Sequence, residues 1–147
     1  MLRLVQAVVA LLLIGSRASG AQTLTVSGNP ALLRITTAVA GSQPTSVSDA
    51  ATTYTVTTPN PNRTYRITAQ LNASMPAGVT VTLTLAAPPS ATSAGAVTLT
   101  TAAQNVVTGI PRNTNATRAI TYQLNGNVTA GVLASTSRLV TLTLVTP

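Results

Sequence analysis

Residues 78–86 read Gly-Val-Thr-Val-Thr-Leu-Thr-Leu-Ala, and the alternation inside them decides the fold. Val79, Val81, Leu83 and Leu85 fall on one parity, and Thr80, Thr82 and Thr84 on the other. Successive side chains of a strand point to opposite faces, so this stretch is a strand with one buried and one wet face. The same text returns as Val140-Thr141-Leu142-Thr143-Leu144. Threonine on the wet side keeps the β-branched shape that suits a pleated surface, and its hydroxyl stays hydrated. Threonines facing each other across strands contribute roughly 0.2–1 kcal/mol per pair. What threonine does not supply is the charge that usually keeps edge strands from pairing with other chains. The stretches 79–86 and 139–145 are therefore either central strands or edges built to pair.

The same economy of charge runs through the whole chain. Its 147 residues are 45% hydrophobic but only 6% charged and 2% aromatic, where an ordinary domain has about 25% charged residues. Cys, His, Trp, Phe, Lys and Glu are absent, Asp49 is the only carboxylate side chain, and every cation is arginine. Without His or Cys, the commonest metal ligands and activated nucleophiles are missing. Paired-carboxylate acid–base chemistry needs a second acid, and a carboxylate-built calcium cage needs several. The many serines have no histidine or lysine to activate them. These exclusions predict a protein that is not an enzyme and carries no cofactor and no metal.

The N-terminus carries a different signal. Arg3 precedes an apolar run from Leu4 to Ile14, interrupted only by Gln6, and the small residues Ser19, Gly20 and Ala21 follow. This is the layout of a secretory signal peptide. The run is about half the ~20 apolar residues that a spanning helix needs. Cleavage before Gln22 is expected, giving a signal peptide over 1–21 and one domain over 22–147, with no transmembrane segment left. Six arginines (Arg34, Arg63, Arg66, Arg112, Arg118, Arg138) against Asp49 then leave a charge of +5. A domain of this size buries about two thirds of its unfolded surface and needs no disulfide. The expected location is secreted, periplasmic or at the cell surface. The lack of cystines in an exported chain points to a bacterial source.

No segment after residue 21 has helical periodicity. Strand-like runs fall at 23–27, 32–39, 52–57, 64–71, 79–86, 96–101, 105–110, 118–125 and 139–145, separated by Pro, Gly, Asn and Ser clusters. Short alternating strands at this spacing predict an all-β fold, an Ig-like antiparallel β-sandwich of roughly seven to nine strands. Parity puts Ile35, Val56, Tyr65, Ile67, Leu71, Val97, Leu99, Ile120, Tyr122 and Leu124 in the core, with the apolar residues of 79–85 and 140–144. Thr121, Gln123, Thr141 and Thr143 face water with the threonines of 80–84.

Residues 67–79 (ITAQLNASMPAGV) and 120–132 (ITYQLNGNVTAGV) also echo each other, and a VTLTL strand follows each. The echo reads either as a duplicated half-sandwich or as one pattern imposed twice by a pseudo-symmetric fold.

Few residues are candidates for contact with a partner. Arg63 and Arg66 flank Tyr65 in Asn62-Arg63-Thr64-Tyr65-Arg66-Ile67, a small basic-aromatic patch for an anionic polymer. Nucleic-acid binders cluster many more basic groups on one face, so nucleic acid is not expected. Tyr54 lies beside the Thr58-Pro59-Asn60-Pro61-Asn62 loop and would offer a sugar a stacking surface if exposed. Asp49 reads as a loop residue bonding its own backbone. Four Asn-X-Ser/Thr sequons begin at Asn62, Asn72, Asn115 and Asn127, and in an Asn- and Thr-rich bacterial chain they read as coincidence.

With a signal peptide followed by a cysteine-free Thr/Val sandwich, residues 22–147 resemble in style the small secreted bacterial Ig-like β-sandwich proteins, pilin-like subunits and adhesion modules among them. That resemblance implies a structural or surface-adhesion role and carries no binding site with it. The uncharged strands add an expectation of homo-oligomers formed by β-strand pairing. The alternative is a carbohydrate- or envelope-polymer-binding module, with anionic polysaccharide or the cell envelope as partner and Tyr54, Arg63 and Arg66 as contacts.

Overall fold

The computed structural model describes residues 6–7, 21–37, 41–59, 62–131 and 134–146. Apart from Gln6, Ala7 and Ala21, the expected signal peptide lies outside them. In chain order the strands are β1 (Gln6–Ala7), β2 (Thr23–Val26), β3 (Val47–Asp49), β4 (Thr53–Thr57), β5 (Tyr65–Leu71), β6 (Val79–Leu85), β7 (Thr92–Ser93), β8 (Val97–Thr98), β9 (Gln104–Ile110), β10 (Asn115–Gly126) and β11 (Leu139–Val145). They form two sheets, β1-β11-β5-β9-β7 and β2-β4-β10-β6-β8, with β3 added beside β10. Every pairing is antiparallel except β1 on β11. The fold is the expected all-β sandwich. No helix among the described residues is long and apolar enough to cross a membrane.

Parity predicts the core well. Val79, Val81, Leu83 and Leu85 are buried along β6, as are Ile120, Tyr122 and Leu124 on β10 and Val140 and Leu142 on β11. Ile35, Val97 and Leu144 are partly buried against them. Burying each such aliphatic side chain stabilises the fold by roughly 1.5–3 kcal/mol. Every buried hydrophobic side chain among the described residues lies between Leu24 and Leu142.

The echo acquires a geometric meaning. β5 and β6 follow one another in the chain yet lie in different sheets, and so do β10 and β11. β6 pairs with β10, with Val81 opposite Leu124, Leu83 opposite Tyr122 and Leu85 opposite Ile120. β11 pairs with β5, with Val140 opposite Leu71, Leu142 opposite Ala69 and Leu144 opposite Ile67. Each VTLTL therefore meets the other repeat's ITxQL in the same register. The two halves exchange strands, one to each sheet. They also touch at their loops, where Asn127 N–H donates to Gly78 O at 2.8 Å.

Some expectations need correction. Residues 32–37 form only an isolated bridge at Leu33, and residues 38–40 lie outside the described set. A run of apolar residues is not a strand without a continuous neighbour to pair with, and Leu32 here is exposed. The run 96–101 shrinks to β8, while 118–125 extends back to Asn115, because its first half pairs with β4. Val106 and Val107 are both buried, which strict alternation forbids. Two register shifts in the β5–β9 ladder explain them: β9 carries extra residues, and Gly109 takes the positive φ (68°) that a bulge glycine supplies.

Candidate functional site

The Tyr65–Ile110 pair closes one end of the β5–β9 ladder, and both side chains are buried. The chain just before β5 and the chain just after β9 therefore leave the sheet side by side. Asn62, Arg63 and Thr64 from one, and Pro111 and Arg112 from the other, line an open cleft of about 500 Å³. Two buried threonines fix its far wall. Thr58 and Thr114 each donate a hydroxyl to Pro111 O at 2.8 Å, and Thr114 N–H donates to Thr58 Oγ1 at 2.9 Å. Asn113, at φ 55°, turns the chain back, and its N–H reaches Pro59 O at 3.3 Å.

Arg63 and Arg112 are both exposed at this cleft, and the chain's one carboxylate side chain is elsewhere, on β3. The arrangement suits an anionic group: two cations, an amide and a hydroxyl line the cleft, and the threonines hold its Pro111 side in place. It contains no general base and no nucleophile with a partner to activate it.

Of the three candidate contacts, the structure brings only Arg63 to the cleft. Arg66 is exposed on β5 opposite Val145, one position past the inward Tyr65, so it faces the other way. Tyr54 offers no stacking surface. It is wholly buried, and its hydroxyl donates to Ala86 O at 2.7 Å. Burial pushes its phenol up to about 12, with the Arg118 guanidinium pulling the other way. Arg118 Nε in turn holds Ala87 O at 3.2 Å, so both side chains fix the chain leaving β6. Arg112 was not a candidate; no local motif places it beside Arg63, because the juxtaposition comes from the β5–β9 ladder.

A second polar locus lies inside the sandwich. Asp49 is not a loop residue but sits on β3, directly opposite Tyr122. Asp49 Oδ2, the Tyr122 hydroxyl and Thr52 Oγ1 are buried without hydrogen-bond partners. Burial, and secondarily the Asp49 carboxylate, push the Tyr122 phenol up to about 12.

Two sequon asparagines are structural. Asn72 Oδ1 accepts from Leu139 N–H at 2.9 Å, and Asn127 Oδ1 accepts from Thr129 N–H at 3.0 Å.

The third feature is an edge. β6 lies between β10 and β8, whereas β11 has β5 on one side and only the two residues of β1 on the other. No protein family matches the chain, and neither does any curated protein or solved structure.

Proposed function

We propose that this chain is a non-enzymatic structural or surface-adhesion protein, exported by a leader over 1–21 and self-associating through a strand edge. The observation that carries the reading is β11, seven residues long with no charge and no proline, flanked on its outer side only by the two residues of β1. Edges of this composition pair readily unless something blocks them. The absence of acid–base residues and the resemblance to secreted Ig-like subunits support the same reading. Light scattering of the chain starting at Gln22, across concentration and with Thr143→Lys, tests it. Association that weakens on substitution is expected. A monomer at high concentration overturns it.

A second reading rests on the Arg63–Arg112 cleft: a module for anionic envelope polysaccharide. Loss of Tyr54 as a platform turns it from stacking toward charge. Retention on a sulfated polysaccharide column that falls with Arg63→Gln and Arg112→Gln together is its test.

A further inference from the structure

The hydrogen bonds of β11 show which of its main-chain groups are unused. Asn72 N–H donates to Leu139 O at 3.0 Å, so the main-chain groups of Leu139 face β5. Leu71, opposite Val140, sends its N–H the other way, to Thr100 O at 2.7 Å. Orientation alternates along an antiparallel strand, so Thr141, Thr143 and Val145 also face β5. The N–H and C=O of Val140, Leu142 and Leu144 point to the open rim. The rim accepts a strand, since Gln6 and Ala7 pair with Leu139 and Val140. On the export reading above, those two residues belong to the leader, and its removal would leave the rim bare.

The geometry points to a second copy of β11 as the occupant, antiparallel across a two-fold axis at Leu142; this rests on the self-association reading above. Only this register uses the whole strand. Leu142 faces Leu142 of the second copy, Val140 faces Leu144, Thr141 faces Thr143, and Leu139 faces Val145. The three outward-pointing residues of each strand then exchange both of their hydrogen bonds. On the outer face the half-exposed Leu139 and Val145 cover each other, and the threonines meet in closely spaced pairs. Charge selects the direction. Arg138 precedes the strand and is tied back to Ser74 O at 2.8 Å. Antiparallel pairing puts the two Arg138 about 27 Å apart at 3.4 Å per residue, well beyond the ~8 Å screening length. Parallel pairing in register would set them on adjacent strands, about 5 Å apart. The two copies become one continuous sheet, and the contact is isologous, so it closes as a dimer.

The natural absence of cysteine makes the register directly readable. Thr141→Cys and Thr143→Cys are made separately in the chain starting at Gln22, then oxidised alone and as an equimolar mixture. Facing pairs sit about 4.5–5.5 Å apart at Cβ and diagonal ones about 7–8 Å, so the mixture should form disulfide dimers roughly tenfold better than either variant alone. Light scattering of the unsubstituted chain should show a dimer that does not grow. Disulfides formed equally well by Thr141→Cys alone, or a dimer with no mixed disulfide, overturn this pairing but leave self-association standing. Open-ended assemblies do the same. A monomer that forms no disulfide removes both.

Discussion

Gly78→Ala is the most informative single change, because Gly109→Ala isolates half of its effect. Gly78 sits at φ 75° and Gly109 at φ 68°, so an added Cβ meets similar backbone strain at both, about 1–2 kcal/mol. The surroundings differ. Nothing lies within 4 Å of a Cβ built on Gly109. A Cβ on Gly78 would lie 2.6 Å from Asn127 Oδ1 and 2.8 Å from both Cα and N of Ala130. The asparagine can swing away, but it then loses its bond to Thr129 N–H, which caps the single 3-10 turn Val128–Ala130 and is worth about 1 kcal/mol. The Ala130 backbone cannot swing, and overpacking of this kind costs about 1–3 kcal/mol. Gly78→Ala should therefore cost about 3–6 kcal/mol and Gly109→Ala about 1–2, out of a typical domain stability of about 5–15. Urea melts followed by far-ultraviolet circular dichroism give both numbers. Equal losses, within about 0.5 kcal/mol, would show that the loops of the two repeats do not pack on each other.

Leu83→Ala should cost about 2–5 kcal/mol and Thr82→Ala about 0.5 or less, because Leu83 is fully buried and Thr82 lies on the wet face; the reverse ranking in urea melts would mean a one-residue slip of β6. Tyr122→Phe should be neutral or stabilising, since it removes a buried hydroxyl with no partner, whereas Tyr54→Phe should cost about 1 kcal/mol for the bond to Ala86 O. Calorimetry that finds Tyr122→Phe the more damaging of the two would contradict the burial pattern. The fold should also fail in alkali. Burial raises both phenols from 10 to about 12, so above pH 10 the unfolded chain loses phenol protons that the folded chain keeps, and each tyrosine costs the fold up to roughly 2–3 kcal/mol as pH rises from 10 to about 12. Tyrosinate absorbance and circular dichroism should therefore change together in that window; ionisation of Tyr54 and Tyr122 without unfolding would refute it.

The two VTLTL strands were legible because nothing interrupts their alternation. β10 was legible only from Arg118 on, since Asn115-Ala116-Thr117 looks like loop and becomes strand through pairing with β4. β3 and β7, three and two residues long, are too short for any period to show. The bulges of β9 hide Val106 and Val107 from a parity rule that assumes one residue per rung. Tyr54 shares parity with the inward Val56, so its burial could be read, but the Pro- and Asn-rich loop beside it suggested exposure. The cleft could be read only in part. Arg63 is recognisably exposed, yet its partner Arg112 comes from a distant turn, and no local pattern encodes that meeting.

The exchange of strands between the two halves also sets the order in which the molecule can be built. β5 and β6 leave the ribosome one after the other, and neither can pair with the other. β6 can pair early only with the two residues of β8 and keeps its other flank bare until β10 is made, and β5 keeps one flank bare until residues 139–145 have been made. Chains dominated by such distant contacts fold slowly, in about milliseconds to seconds, and only after the last partner is present. A nascent chain therefore stays threadable for nearly its whole synthesis, and β11 is the latch that ends that state.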